Sequence, residues 1–157
     1  MVACDDALFE RHSALLRALA DPVFRVGRRA GDGARTKLVN NLLAAINLAG
    51  AAQALALAER VGLDPGRTLA VIEQSSGQSW ICSDRLPRAI AGDLAPRAHT
   101  SLLDKDVRLA LGMAATAGFD VSVGAAAAAL FARACDNSMA SLDDACLFDM
   151  LRKAKPA

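Results

Sequence analysis

Apolar positions recur along this chain with the 3.6-residue period of helices almost from end to end. Leu8, Leu15 and Leu19 share a helical face with His12, which places that histidine as a packed or boundary residue, and Phe9 and Leu16 lie beside them. Asp5 or Asp6 caps this first helix and Asp21-Pro22 stops it. Val23-Phe24-Arg25-Val26 then reads as a short strand with Phe24 and Val26 on one side. A lone strand cannot satisfy its own backbone groups, and the pattern offers no second convincing strand. The opening helix and strand are therefore expected to be the tail of something larger.

Gly27 to Gly33 forms a glycine-punctuated hinge. Beyond it, Ala34 to Val61 runs without proline, about 28 residues or about 42 Å of helix at 1.5 Å per residue. Leu38, Leu42, Ile46, Ala49 and Leu57 occupy several of its faces, the mark of a buried central pillar. Gly62 suits the position just past its end, and Asp64-Pro65 suits N-cap and N1 of the next helix. That helix ends near Ser75-Ser76-Gly77. Gln78 to His99, with Pro87, Gly92 and Pro96, reads as less regular. Ser101 opens a helix with Leu103, Val107, Ala110, Leu111 and Ala114 on one stripe, closed by Gly118. An alanine-rich helix follows over about Val123–Ala134. Ser141 is placed as the cap of the last helix, with Asp143 and Asp144 in its first turn and Lys153 and Lys155 at its end, where they complement the helix dipole.

Composition agrees with an all-α chain. Of 157 residues, 54% are hydrophobic, many of them alanine, and only 4% are aromatic; alanine is the best helix former, and strand-rich folds draw on β-branched and aromatic residues. Eighteen basic residues against seventeen acidic ones leave a net charge of +1 with no basic block, so no nucleic-acid partner is expected. No apolar run of membrane-spanning length and no signal peptide is read, and no membrane partner is expected. Cys4, Cys82, Cys135 and Cys146 form no C-x-x-C pair, and His12 and His99 lie far apart. The expectation is reduced thiols in a cytoplasmic protein, with no metal site.

Gly31-Asp32-Gly33-Ala34-Arg35-Thr36 follows a strand and opens a helix, the setting of a dinucleotide loop. Thr36 stands where the third glycine belongs, and no strand ending in an acid follows, so a flexible hinge is the better reading. Lys37, Asn40 and Asn41 lie at i, i+3, i+4 on one side of the pillar. Two adjacent asparagines inside an apolar helix run against propensity. The plain reading is a solvated stripe. The chemical one is a lysine that carries a proton beside an amide that holds a substrate oxygen; hydride transfer to a carbonyl needs such a proton donor.

Gly31-Asp-Gly33-Ala-Arg-Thr-Lys37-Leu-Val-Asn40-Asn41 resembles the G-x-G-x-x-x-K-x-x-N-N motif of the β-hydroxyacid dehydrogenases, relatives of 6-phosphogluconate dehydrogenase that include the 3-hydroxyisobutyrate dehydrogenases and tartronate semialdehyde reductases. Glu59-Arg-Val-Gly62-Leu-Asp64, Ser75-Ser76-Gly77-Gln78-Ser79-Trp80 and Leu103-Asp104-Lys105-Asp106-Val107-Arg108-Leu109-Ala110 resemble further segments of that family in the same order, and Met1-Val2-Ala3-Cys4-Asp5 resembles a stretch near the end of its cofactor domain. The resemblance implies Lys37 as general acid/base, Asn41 as substrate anchor supported by Asn40, and Lys105 as a cofactor contact. The family's usual aromatic, seven residues before Lys105, is replaced by Ala98.

The resemblance implies a six- to seven-helix domain like the C-terminal one of 6-phosphogluconate dehydrogenase, built around one long helix. Residues 1–30 would be the remnant of a Rossmann cofactor domain plus hinge, and 31–157 the catalytic and dimerisation domain. The family's N-terminal half would precede Met1, so the chain is expected to be a fragment, a single excised domain or a remnant with a misplaced start, and inactive alone. NAD or NADP as cofactor, a small hydroxyacid as substrate and a homodimer are implied. A non-catalytic helical dimerisation module or a truncated inactive remnant is the alternative; an imine-reductase-like relative is disfavoured, because those enzymes generally replace the lysine that Lys37 keeps.

Overall fold

The computed structural model describes residues 1–154; Lys155, expected near the end of the last helix, lies outside the described residues. The chain divides into two compact units, Met1–Asn41 and the residues from Leu42 onward. The fold is all-α apart from a two-stranded sheet, with seven α-helices among the described residues.

The first unit holds β1 (Val2–Ala3), α1 (Asp6–Leu19), β2 (Arg25–Gly27) and the opening turns of α2 (Asp32–Arg60). β2 does have a partner, contrary to the single strand expected at Val23–Val26: β1 pairs with it in parallel, Val2 opposite Arg25 and Ala3 opposite Gly27, with an irregularity between. Two residues are too few to show alternation, so β1 is invisible to pattern. Its pairing rests on backbone bonds from Val2 N to Phe24 O (2.8 Å) and from Cys4 N to Gly27 O (3.1 Å). The Arg25 guanidinium adds two bonds to Cys4 O, at 2.9 and 3.1 Å, where a longer ladder would continue.

Asp5 caps α1, its carboxylate accepting from Leu8 N at 2.8 Å. The face expected to pack is the exposed one. Leu8, Leu15 and Leu19 stand in solvent and His12 is exposed, while Phe9, Ser13 and Leu16 are half-buried. Asp6 on this helix forms ion pairs with Arg25 and Arg28. With so small a sheet, the unit can cover only one stripe of the helix.

The second unit is a helical bundle of the remainder of α2 with α3 (Pro65–Glu73), α4 (Trp80–Ile90), α5 (Thr100–Thr116), α6 (Ser122–Ala134) and α7 (Cys146–Arg152). Its core joins Leu48, Ala52 and Leu55 of α2 to Leu86, Val107, Phe131 and Phe148. Alanines line the contact faces, and their small size lets helix axes approach closely. α2 ends as expected: Gly62 takes a positive φ of 83°, and Leu63 N donates to Ala58 O at 2.9 Å, the bonding of a Schellman cap. Asp64 caps α3 through Arg67 N at 2.7 Å, with Pro65 at its start.

Two stretches differ from expectation. α4 occupies the segment read as irregular, because Cys82, Leu86 and Ala89 form a buried stripe; Pro87 sits within this helix, and burial of the stripe outweighs its lost backbone donor. Asp143 and Asp144 are not in the first turn of the last helix, which begins at Cys146. They lie in the preceding turn, 1% and 3% exposed, where arginines and backbone amides satisfy them better than a helix dipole would. α6 leads into one widened turn, Cys135–Met139, with Ser138 at φ 62°.

α2 is also less enclosed than a pillar. It buries Ala45, Leu48, Ala49, Ala52 and Leu55 but exposes Val39, Leu43 and Leu57. By length and composition alone it would span a bilayer, at a mean hydropathy of 1.5 over its most apolar window, which the reading of apolar runs had excluded. The core helix of a globular bundle has the same signature.

Candidate active site

The first turn of α2 is organised by Asp32. Its carboxylate accepts from Arg29 N at 3.1 Å and pairs with Arg35 at 2.9 Å. The backbone bond from Arg29 is the main influence holding the Asp32 carboxyl below its ordinary range; desolvation opposes it, and the charges of Arg29 and Arg35 and the Arg35 hydrogen bond add to the lowering. Gly27 packs so closely on Asp32 that a Cβ there would stand 2.3 Å from Asp32 Oδ2. Gly31, at φ 92°, lets the chain turn into the helix. A protein carboxylate thus already occupies the start of α2, where a phosphate-binding loop would leave free amides. The hinge reading of residues 31–36 fits this geometry.

One turn later the helix presents Lys37, Asn40 and Asn41. Lys37 and Asn40 are exposed and Asn41 is half-buried. Asn40 Nδ2 donates to Asn41 Oδ1 at 3.2 Å, so the adjacent amides are tied to one another, and Lys37 lies one turn earlier on the same helix. Thr36 turns its hydroxyl back to Asp32 O at 2.9 Å, away from that side chain cluster. The structure brings these three residues onto one helix in the first unit. An ammonium and oriented amides can donate to a substrate carboxylate or hydroxyl, and the ammonium can exchange a proton there.

Lys105 belongs to the second unit, in the second turn of α5, with its side chain about half exposed; its ammonium pairs with Asp106 Oδ1 at 2.8 Å, and the Asp106 side chain is 1% exposed. A buried carboxylate thus anchors an exposed cation. Ala98, which stands in the family's aromatic position, is half-buried just ahead of α5. Trp80, in the Ser75–Trp80 loop motif, is 73% exposed at the start of α4.

The residues that pattern reading missed are the charged ones buried around the start of α5. Arg85 Nε bonds Asp144 Oδ1 at 3.1 Å, Arg88 Nη1 lies 3.6 Å from Asp143 Oδ2, and Arg97 N donates to Asp143 Oδ2 at 2.8 Å. Burial pushes the Asp144 carboxyl up to about 6, against the pull of Arg85. Adjacent aspartates before a helix carry no sequence signal that separates dipole partners from buried ion-pair partners.

Residues 31–151 match the family described as the NAD-binding domain of NADP-dependent 3-hydroxyisobutyrate dehydrogenase. The chain is 35% identical over 130 residues to an L-threonate dehydrogenase of Cupriavidus necator, covering 83% of this chain and 44% of that protein. It is 28% identical over 166 residues to the mitochondrial 3-hydroxyisobutyrate dehydrogenase of Drosophila melanogaster, covering 99% and 50% of the two. Among solved structures, a 3-hydroxyisobutyrate dehydrogenase from Salmonella typhimurium superposes with a TM-score of 0.88 at 28% identity, over 94% of this chain and 52% of that one. The chain therefore spans about half the length of the curated relatives it matches.

Proposed function

The chain belongs to the β-hydroxyacid dehydrogenase family, matching its NAD-binding helical domain, and from that membership we propose that it forms part of an NAD(P)-dependent oxidoreductase acting on the hydroxyl of a small β-hydroxyacid, with Lys37 as the general acid/base. The observation that carries the reading is the placement of Lys37, Asn40 and Asn41 on one helix, within the stretch that matches the family.

NAD or NADP supplies the hydride carrier when bound. The chain's own part begins with Asn41, whose half-buried amide holds a substrate oxygen and is itself held by Asn40. Lys37 Nζ takes the hydroxyl proton during oxidation and returns it to the alkoxide in the reverse direction. A neutral amine is needed for the first step. Lys105 suits a dinucleotide: an exposed ammonium, fixed on a buried carboxylate, meets an oxygen-rich ligand with little loss of side-chain freedom. All four cysteines are free, which suits the reducing cytoplasm to which the proposal assigns the protein.

Lys37→Ala, made in the enzyme that carries this domain, is expected to lower kcat by about 10²–10⁴-fold, the usual range for a general acid/base. Lys37→Arg is expected not to restore it, because arginine stays protonated. Near-normal kcat in Lys37→Ala would remove the mechanism.

A further inference from the structure

α5 begins without a side-chain cap of its own. His99 occupies the N-cap position but makes no capping bond with its side chain. The first amides of the helix are instead satisfied across the fold: Thr100 N donates to Leu142 O at 2.9 Å and Ser101 N to Ala140 O at 3.1 Å. The Thr100 hydroxyl lies 3.0 Å from Leu142 O and 3.1 Å from Asp143 O, and His99 Nδ1 lies 2.9 Å from Ser141 O. In return, Asp144 N donates to Ala98 O and Asp143 N to Leu94 O, both at 3.1 Å. The beginning of α5 is therefore only as well placed as residues 140–144.

That segment is held by charge. Asp143 and Asp144 are almost wholly buried, and a buried carboxylate is stable only when paired and hydrogen-bonded. The groups facing them come from α4 and from the connector that follows it. Arg85 reaches Asp144 at 3.1 Å and Asp143 at 3.9 Å and also pairs with Asp84. Asp84 in turn binds Arg97 at 2.8 Å. Arg88 approaches Asp143 at 3.6 Å, pairs with Asp93 at 2.8 Å and donates to Ala95 O at 2.8 Å. Arg85 is the member common to both buried aspartates and to the Asp84–Arg97 pair, and its side chain is 12% exposed.

We propose that Arg85, through Asp144 and Asp143, is a positioning residue that fixes the first turns of α5 and thereby the ammonium of Lys105. The inference rests on the reading of Lys105 as the cofactor-contacting lysine, but its structural content is independent of any turnover. Arg85 touches neither Lys105 nor a ligand. It acts by holding the turn whose carbonyls cap the helix that carries Lys105.

The chain has four lysines, Lys37, Lys105, Lys153 and Lys155, so reductive ¹³C-methylation gives a spectrum simple enough to assign by lysine-to-arginine variants. In Arg85→Met the Lys105 signal is expected to move to its unfolded-chain position, and amide exchange over residues 100–106 is expected to rise at least tenfold relative to residues 110–116 of the same helix. Arg85→Lys, which keeps a charge, is expected to recover most of both effects. Should Arg85→Met fail to fold, Arg85→Gln removes the same charge while keeping a polar side chain at that position and is expected to give the same local loosening. An unmoved Lys105 signal in whichever variant is folded overturns the proposal, as does an exchange increase spread evenly over the bundle. A separate titration of NADH against Lys105→Ala reports on the cofactor reading: undiminished affinity there sinks the role of Lys105 and leaves the positioning result standing.

Discussion

Gly124 on α6 lies against Leu42 on α2 so closely that a Cβ built on the glycine would stand 2.7 Å from Leu42 Cδ1, with Leu111 Cδ2 at 3.7 Å. The absent side chain lets the alanine-rich α6 settle onto the bundle. Two effects compete when it is replaced. Alanine gains about 1 kcal/mol of helix propensity over glycine, and the Leu42 methyl can rotate away from a single Cβ, so Gly124→Ala is expected to be close to neutral. Gly124→Leu adds bulk that neither neighbour can absorb and is expected to cost about 1–3 kcal/mol. Leu42→Ala in the same chain should recover part of that loss. Urea denaturation of the two singles and the double gives the coupling; strict additivity would mean that the two side chains do not meet.

Acid should stabilise the bundle before it destabilises it. The Asp144 carboxyl is raised by burial from 3.8 to about 6, so the folded chain binds its proton more tightly than the unfolded chain. Stability is therefore expected to rise as pH falls from about 7 towards 4, by about 3 kcal/mol at most. Below that range Asp149, whose carboxyl Lys153 and Arg152 hold below the ordinary value despite desolvation, loses its pairs and the trend reverses. Asp144→Asn is expected to flatten the upper limb. Thermal melts of both proteins between pH 4 and 7.5 decide the matter, and equal slopes would refute the assignment to Asp144.

The 157-residue chain by itself is expected to bind NADH weakly and to turn over no hydroxyacid. The start of α2 is occupied by the Asp32 carboxylate, which repels phosphate at the one glycine-rich helix entrance of residues 31–36. Calorimetric titration tests this; micromolar affinity would show that those residues do form a phosphate site.

Self-association, expected of the family's helical domain, now has a better-defined surface. A charge at Ala49 is a natural choice from the apolar pattern of α2, but Ala49 is 4% exposed and belongs to the core, so Ala49→Glu should unfold the bundle. Leu57 is exposed on α2 and Val61 just past its end, and Ala54 with them. If α2 pairs with a second copy, Ala54→Glu should dissociate it without lowering the melting temperature of the monomer. Light scattering coupled to size exclusion reads the mass; a wild-type chain that stays monomeric on concentration contradicts the dimer.

Thiol reactivity should follow burial. Desolvation raises the Cys146 thiol to about 11 and raises that of Cys82 as well, and both are buried. Under native conditions maleimide labelling is expected to reach Cys4 first and to leave Cys82 and Cys146 unmodified until the chain unfolds. Rapid labelling of Cys146 in the folded protein would show that the packing of α7 is looser than described.

What the sequence determined by itself was local. Gly62, Asp64 and Pro65 carry their own conformational preferences, so the end of α2 and the start of α3 were legible to within a residue or two, and Asp5 fixed the start of α1 in the same way. The grouping of Lys37, Asn40 and Asn41 is likewise a consequence of helical spacing. Tertiary structure alone decided what depends on partners distant in sequence. β1 exists because Cys4 and Gly27 exchange a backbone bond, and two residues leave no pattern to read. His12 faces solvent because the small first unit covers only the stripe of α1 that carries Phe9 and Leu16. Asp143 and Asp144 look like dipole partners of a helix, yet burial beside Arg85 and Arg88 makes them the anchor of the turn that caps α5. Periodicity reports which residues share a face, whereas the free energy of burying that face depends on what the rest of the chain brings to cover it.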